Sequence, residues 1–172
     1  MHREASRLRA ILLSAVGAAV VAGCAGHPWP DEPGVPVALS RASNGQADDA
    51  FLARLTADRR AANLPAPLLT EGHQNDIRAF AEDLQAGKLT ASEARSAIDR
   101  WGRAAYQRPV AVWLIDCAAG ENMKLPGALV NRPSAVVSFA SAHFRPRSLT
   151  ADQCAVLVVA IEGADQVTEQ KM

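Results

Sequence analysis

This chain has few of the groups that metal, redox or nucleic-acid chemistry needs. It holds three cysteines, four histidines and a single tyrosine, and aromatic residues make up only 5% of its 172 positions. A zinc site requires three or four converging nitrogen or sulfur ligands. Beyond the N-terminal segment the histidines are His27, His73 and His143, at unrelated spacings. Glu71, Glu82 and Glu121 therefore join no ligand pattern, and neither a metal nor another cofactor is expected. Eighteen Lys and Arg balance eighteen Asp and Glu, with no basic stripe and no aromatic platform, so no nucleic-acid partner is expected. The short basic stretch "HFRPRS", residues 143 to 148, suits a solvated loop. Ser138 and Ser141 lie near His143 in sequence but in no nucleophile elbow and with no orienting acid, so they read as ordinary strand serines.

A long apolar span is also missing. The uncharged run "AILLSAVGAAVVAG" ends at Gly23 and is shorter than the roughly 20 residues a bilayer crossing needs. Arg3, Arg7 and Arg9 precede it, which is the layout of a secretory signal peptide. It closes on Val21-Ala22-Gly23-Cys24, which resembles the bacterial lipobox, where small residues fit the peptidase and the cysteine thiol takes up diacylglycerol and becomes the new N-terminus. Two or three acyl chains on Cys24 anchor a protein stably, whereas one binds only marginally. Ala25 follows where an inner-membrane lipoprotein carries aspartate. The resemblance thus implies a palmitate-bearing lipoprotein of the bacterial cell envelope, held by lipid at the outer membrane and facing the periplasm.

Removing residues 1–23, with three arginines and one glutamate, leaves 149 residues and a formal charge of −2. That suits one domain. With Cys24 acylated, Cys117 and Cys154 are the remaining thiols in an oxidising compartment, and a disulfide between them is expected.

Residues 24–48 are rich in proline, glycine and serine and read as a flexible tether, with Trp29 resting either on the membrane interface or on the domain. The folded part is expected over 49–163, with a flexible tail at 164–172. Asp48 or Asp49 is placed to cap a first helix with Phe51, Leu52 and Leu55 inward, and Asn63 closes it in the left-handed region. A second helix runs from Glu71 to Ala86, with Ile77, Phe80, Ala81 and Leu84 on its apolar face, and Gly87 stops it. Thr90 and Glu93 form a capping box opening a third, with Ala94, Ala97, Ile98, Trp101 and Ala105 inward. The period then turns strand-like. "PVAVWLID" (109–116) reads as a central strand covered on both faces, with Trp113 in the core. "SAVVSFASAHF" (134–144) alternates Val137 and Phe139 against Ser138 and Ala140, and "QCAVLVVAI" (153–161) is a third buried strand. If the first and last of these pair antiparallel, Cys117 and Cys154 are neighbours.

The segment "FLARLTADRRAANLPAPLL", a helix leaving through an arginine-containing turn into Leu-Pro-x-Pro-Leu, followed by "IRAFAEDLQAG", resembles the opening of the CAP superfamily of cysteine-rich secretory, antigen 5 and pathogenesis-related proteins. The resemblance spans about residues 49–163 and implies an α+β fold, a three-layer α-β-α sandwich with a small, mainly antiparallel sheet. Gly120-Glu121-Asn122 and Ala142-His143-Phe144 echo the family's Gly-Glu-Asn and Gly-His-Phe motifs, so Glu121 and His143 are the positions to which its cleft residues carry over. No partner histidine or second glutamate accompanies them. The resemblance therefore implies a non-catalytic groove for a lipid, a peptidoglycan fragment or an envelope protein. The alternatives are a degenerate hydrolase using Glu121 and His143, or an accessory subunit of an envelope assembly. Cys24→Ala is expected to leave unprocessed precursor and to abolish acyl labelling, both read by mass spectrometry of the membrane fraction.

Overall fold

The computed structural model describes residues 29–37, 41–133 and 136–161. The signal segment, Cys24 and the residues from 162 onward lie outside the described residues.

The fold is mixed α+β. A short strand β1 (Gly34–Val35) is followed by α1 (Arg41–Ala61), β2 (Leu68–Leu69), α2 (Glu71–Gln85) and α3 (Ala91–Tyr106). Then come β3 (Val110–Asp116), a 3-10 turn at Gly120–Asn122, the single-turn α4 (Gly127–Val130), β4 (Val136–Pro146) and β5 (Gln153–Ile161). Strand order is β1-β4-β5-β3, antiparallel throughout, with β2 lying parallel to the start of β4.

β5 is the central strand, and every residue from Cys154 to Ile161 is buried. Among the described residues β3 is at the edge, with β5 as its one strand neighbour, which corrects the reading of 109–116 as central. Its apolar run has another cause. The outer side of Val110–Trp113 shares a groove with Ser92, Arg95, Asp99 and Arg100 of α3, so a helix covers the flank that a strand would otherwise occupy.

The alternation along β4 separates two cores. Val137 and Phe139 pack with Val156, Val158 and the α1 residues Phe51 and Leu55. Ala140, Ala142 and Phe144 pack with Leu157, Val159 and the α2 and α3 residues Ile77, Leu84, Ala94 and Ile98. The helices therefore cover opposite faces of the sheet. Phe51 meets Phe139 with ring centroids 4.8 Å apart. Burying such side chains contributes about 1.5–3 kcal/mol each.

The punctuation of the helices follows the local chemistry. Asn63 adopts φ 57° and Gly87 φ 68°, both left-handed exits. The Thr90 hydroxyl accepts the Glu93 amide while the Glu93 carboxylate accepts the Thr90 amide. On α3 the inward stripe is Ala94, Ile98 and Gly102, and Ala105 is exposed rather than inward. Gly102 lets the helix lie close to β3, where an added Cβ would come within 3.0 Å of Val110.

α1 begins seven residues before Asp48, because tertiary bonds override weak local propensity in "RASNGQA". Residues 29–37, within the stretch read as tether, are held against the domain as a strap. Trp29 is 5% exposed and meets Phe144 edge-on at 5.6 Å. The Ser148 amide donates to Glu32 at 2.6 Å, β1 pairs with Arg145 and Pro146, and the Val37 amide donates to the Gln85 carbonyl. Gly34 and Gly87 are in backbone contact, leaving only 2.5 Å between a Cβ built on Gly87 and the Gly34 carbonyl oxygen.

Cys117 and Cys154 form the expected disulfide, with Cα atoms 5.1 Å apart, where the Cys117 amide also donates to the Cys154 carbonyl. It joins positions 37 apart in sequence, a closure that contributes about 4 kcal/mol on the chain-entropy estimate.

At the other end of the sheet the inward stripe of α1 finishes on Arg59, which is fully buried. Its Nε donates to the Pro65 carbonyl at 2.7 Å, and Nη1 donates to the carbonyls of Val130 at 2.9 Å and Arg132 at 2.8 Å. Burial pulls its pKa below the usual arginine value. Arg59→Met is predicted to destabilise the domain by about 3–5 kcal/mol, because it strands those carbonyls without a donor. Arg59→Lys recovers little of this, since a point ammonium cannot span the fork. Urea unfolding midpoints of the purified variants test both.

Candidate functional site

The inward stripe of α1 changes character along its length. Phe51 and Leu55 are apolar, but the two turns before them present Asn44 and Asp48, and these face the edge of β4 away from β5, where no described strand pairs with it. Between its short contacts with β1 and β2, the outer amides of β4 are met by side chains. The Phe139 amide donates to Gln74 Oε1 at 2.7 Å and the Ser141 amide to Asp48 Oδ1 at 2.7 Å. Asp48 was expected to cap free helix amides. It sits inside α1 instead, and the free amide it satisfies belongs to a strand.

Beside this carboxylate is a cleft of about 360 Å³, lined by Asn44, Gly45 and Asp48 of α1, Arg78 and Glu82 of α2, and Ser141 of β4. Burial is the main influence on Asp48 and pushes its pKa above the ordinary value. The bonds from Ser141 and the charge of Arg78 oppose that rise. A partly buried carboxylate facing a guanidinium across an open cleft is an arrangement that recurs at binding and catalytic sites.

Asn44 is the hub beneath the cleft. Its backbone carbonyl accepts the Ser141 hydroxyl at 2.7 Å, and its Nδ2 donates to Gln85 Oε1 at 3.0 Å. Gln85 Nε2 in turn donates to the Val37 carbonyl at 3.3 Å. That sequence of donors leaves Asn44 Oδ1 as an acceptor, so His143 Nδ1, 2.9 Å away, carries the hydrogen. Burial lowers the His143 pKa and the nearby Asp152 acts against it. Burial is the stronger of the two, so the balance favours a neutral imidazole, tied into a structural chain that runs from the strap, through α2 and α1, to β4.

The residues singled out from sequence are thereby dispersed. His143 lies at the rim of the Asn44 network, opposite Cys154 in register. Glu121 is exposed in the 3-10 turn, where its backbone carbonyl accepts from Arg54 at 3.5 Å. No hydrogen bond or ion pair joins Glu121 to His143 among the described residues. His73 lies elsewhere on α2, edge-on to Tyr106 at 4.7 Å and Trp101 at 5.3 Å. Trp101 and Trp113 are both partly buried, and Arg132 lies over the Trp113 ring at 5.3 Å. Ser138 and Ser141 are buried, each donating its hydroxyl to a backbone carbonyl. Among the described residues no three His, Cys, Asp or Glu side chains gather as metal ligands, and no helix is long and apolar enough to cross a membrane. Glu82, by contrast, does line the cleft.

The cleft residues Asn44, Asp48 and Arg78 escaped the sequence reading. The available signal was helical spacing: 44, 48, 51, 55 and 59 fall on one stripe, so its polar members must face inward too. In comparisons with known families, curated proteins and solved structures, the chain matches none.

Because burial raises the Asp48 pKa, the folded state favours the protonated acid. Its contribution to stability is greatest below the ordinary carboxylate pKa and is lost as pH rises through the raised value. Asp48→Asn keeps an acceptor for the Ser141 amide without the charge. Its stability relative to the parent is predicted to improve as pH rises above the ordinary carboxylate pKa of about 4, read from paired urea unfolding curves.

Proposed function

We propose that this chain is a lipid-anchored envelope protein with a non-catalytic binding role, whose ligand sits in the cleft between α1, α2 and β4. The N-terminal half of the proposal rests on Val21-Ala22-Gly23-Cys24 and on Ala25, which give an acylated Cys24 and an outer-membrane address. The placement of α1 on one face of the sheet and α2 with α3 on the other supports a short CAP-like sandwich, with the cleft as its groove.

One observation carries the binding role: Asp48 is held partly buried beside an open cavity, opposite Arg78 and Glu82. Such a wall offers an acceptor, a cation and a second carboxylate within one small volume. That suits a polar ligand with both amines and carboxylates, and so favours a peptidoglycan fragment over a lipid tail. The hydroxyl nearest the cleft, that of Ser141, donates to the Asn44 carbonyl, and the His143 Nδ1 hydrogen is committed to Asn44. Neither is set up as a nucleophile and its base.

The test is equilibrium dialysis of the native lipidated protein with a disaccharide-tetrapeptide muropeptide. Arg78→Ala and Asp48→Asn are expected to weaken binding by about tenfold or more, as loss of a charged hydrogen bond does. Glu121→Gln should leave it unchanged. Cleavage of the muropeptide, or loss of binding through Glu121→Gln, would instead favour the hydrolase reading.

A further inference from the structure

The chain enters the domain at Trp29, and that residue is clamped. Its ring is buried against Phe144, and the strap behind it is fixed by Glu32 on Ser148 and by β1 on β4. A tether running to residue 48 would allow a reach of about 80 Å. With the leash ending at Trp29 instead, five residue steps separate it from Cys24, and a fully extended chain spans about 18 Å over that interval. The domain is longer than its leash, since α1 alone has 21 residues and a length of about 30 Å.

Resting on the reading of Cys24 as the anchor, we infer that the strap end of the domain is a membrane-apposed face, its partner being the zwitterionic headgroup layer of the bilayer that holds the acyl chains. The opposite end, where Arg59 gathers its carbonyls, stays beyond contact with lipid. α1 runs antiparallel to β4, with Asn44 beside His143 and Phe51 beside Phe139, so its N-terminus marks the near end and Ala61 the far end. Val35, 44% exposed, presents an apolar side chain on the near face. The main charges there face one another: Arg145 is bonded to Asp152 at 2.6 Å, Lys88 to Asp83 at 2.8 Å, and Arg147 lies within electrostatic reach of Glu32. Position is therefore set by the covalent leash and not by attraction to anionic lipid, and it is insensitive to salt. The cleft, reached from Asn44 and Ser141, lies in the half of the molecule nearer the membrane.

The experiment uses the native lipidated protein in phosphatidylethanolamine vesicles carrying a headgroup-nitroxide lipid, with one fluorophore on Val35→Cys or on Ala61→Cys. Both positions are exposed. Quenching is expected to be severalfold stronger at position 35, unchanged by high salt, and equalised by inserting about 20 Gly and Ser residues after Gly26. Equal quenching at both positions in acylated protein of native length overturns this inference alone. A mass spectrum of the same sample without an acyl increment on Cys24 overturns the anchor reading, and the inference with it.

Discussion

The arrangement of this domain depends on a buried guanidinium that has carbonyl groups around it. Two connections, 62–67 after α1 and the one that begins at Asn131 after α4, converge at the far end of the sheet and bring backbone oxygens for Arg59 to collect. Arg59 collects them, with close bonds to Pro65, Val130 and Arg132 and a longer one to Pro133 at 3.4 Å. A buried cation is costly in isolation, and several aligned carbonyl dipoles offset that cost while the planar fork fixes their directions. The result ties the C-terminal end of α1 to the loop that leads into β4. With Phe51 and Leu55 continuing the same stripe, the helix has no freedom to rotate, and Asp48 and Asn44 must face the strand.

That constraint explains how the sheet manages its second edge. β4 is eleven residues long, but β1 and β2 cover only two residues at each of its ends. The uncovered middle would be open to another strand. Gln74 and Asp48 occupy two of its amides instead, one from each flanking helix. The carboxylate has to be partly buried to reach its amide, and the opening left between the two helices is the cleft. Edge protection and candidate site are therefore products of the same packing.

How much of this was legible in the sequence varied with how local the signal was. Asn63, Gly87 and the Thr90–Glu93 box act within one helical turn, and each does in the structure what its chemistry implies. The disulfide followed from elimination among three cysteines together with an antiparallel guess. What failed was long-range. Nothing within "PVAVWLID" tells a central strand from an edge strand flanked by a helix, and nothing within "RASNGQA" predicts two helical turns stabilised by Gln85, Ser141 and His143. Ala105 was misplaced because an alanine and a glycine look alike to a hydrophobic pattern, whereas only Gly102 permits the close approach to Val110. The prolines beside Trp29 argued for an extended tether, whereas the described stretch bends at residues 29, 31 and 32 before the short strand β1; composition carried no sign that it would be strapped down.

The strap has a consequence for how the molecule is made. Glu32 and Ser148 are 116 positions apart, and Phe144 and Arg145 are nearly as far from the residues they receive. During synthesis residues 29–37 emerge well before their seat, so closure waits for nearly the whole described domain. Until then Trp29 is an unhoused indole. A late event of folding is thus the docking of a segment made early, when the β4–β5 hairpin arrives to receive it.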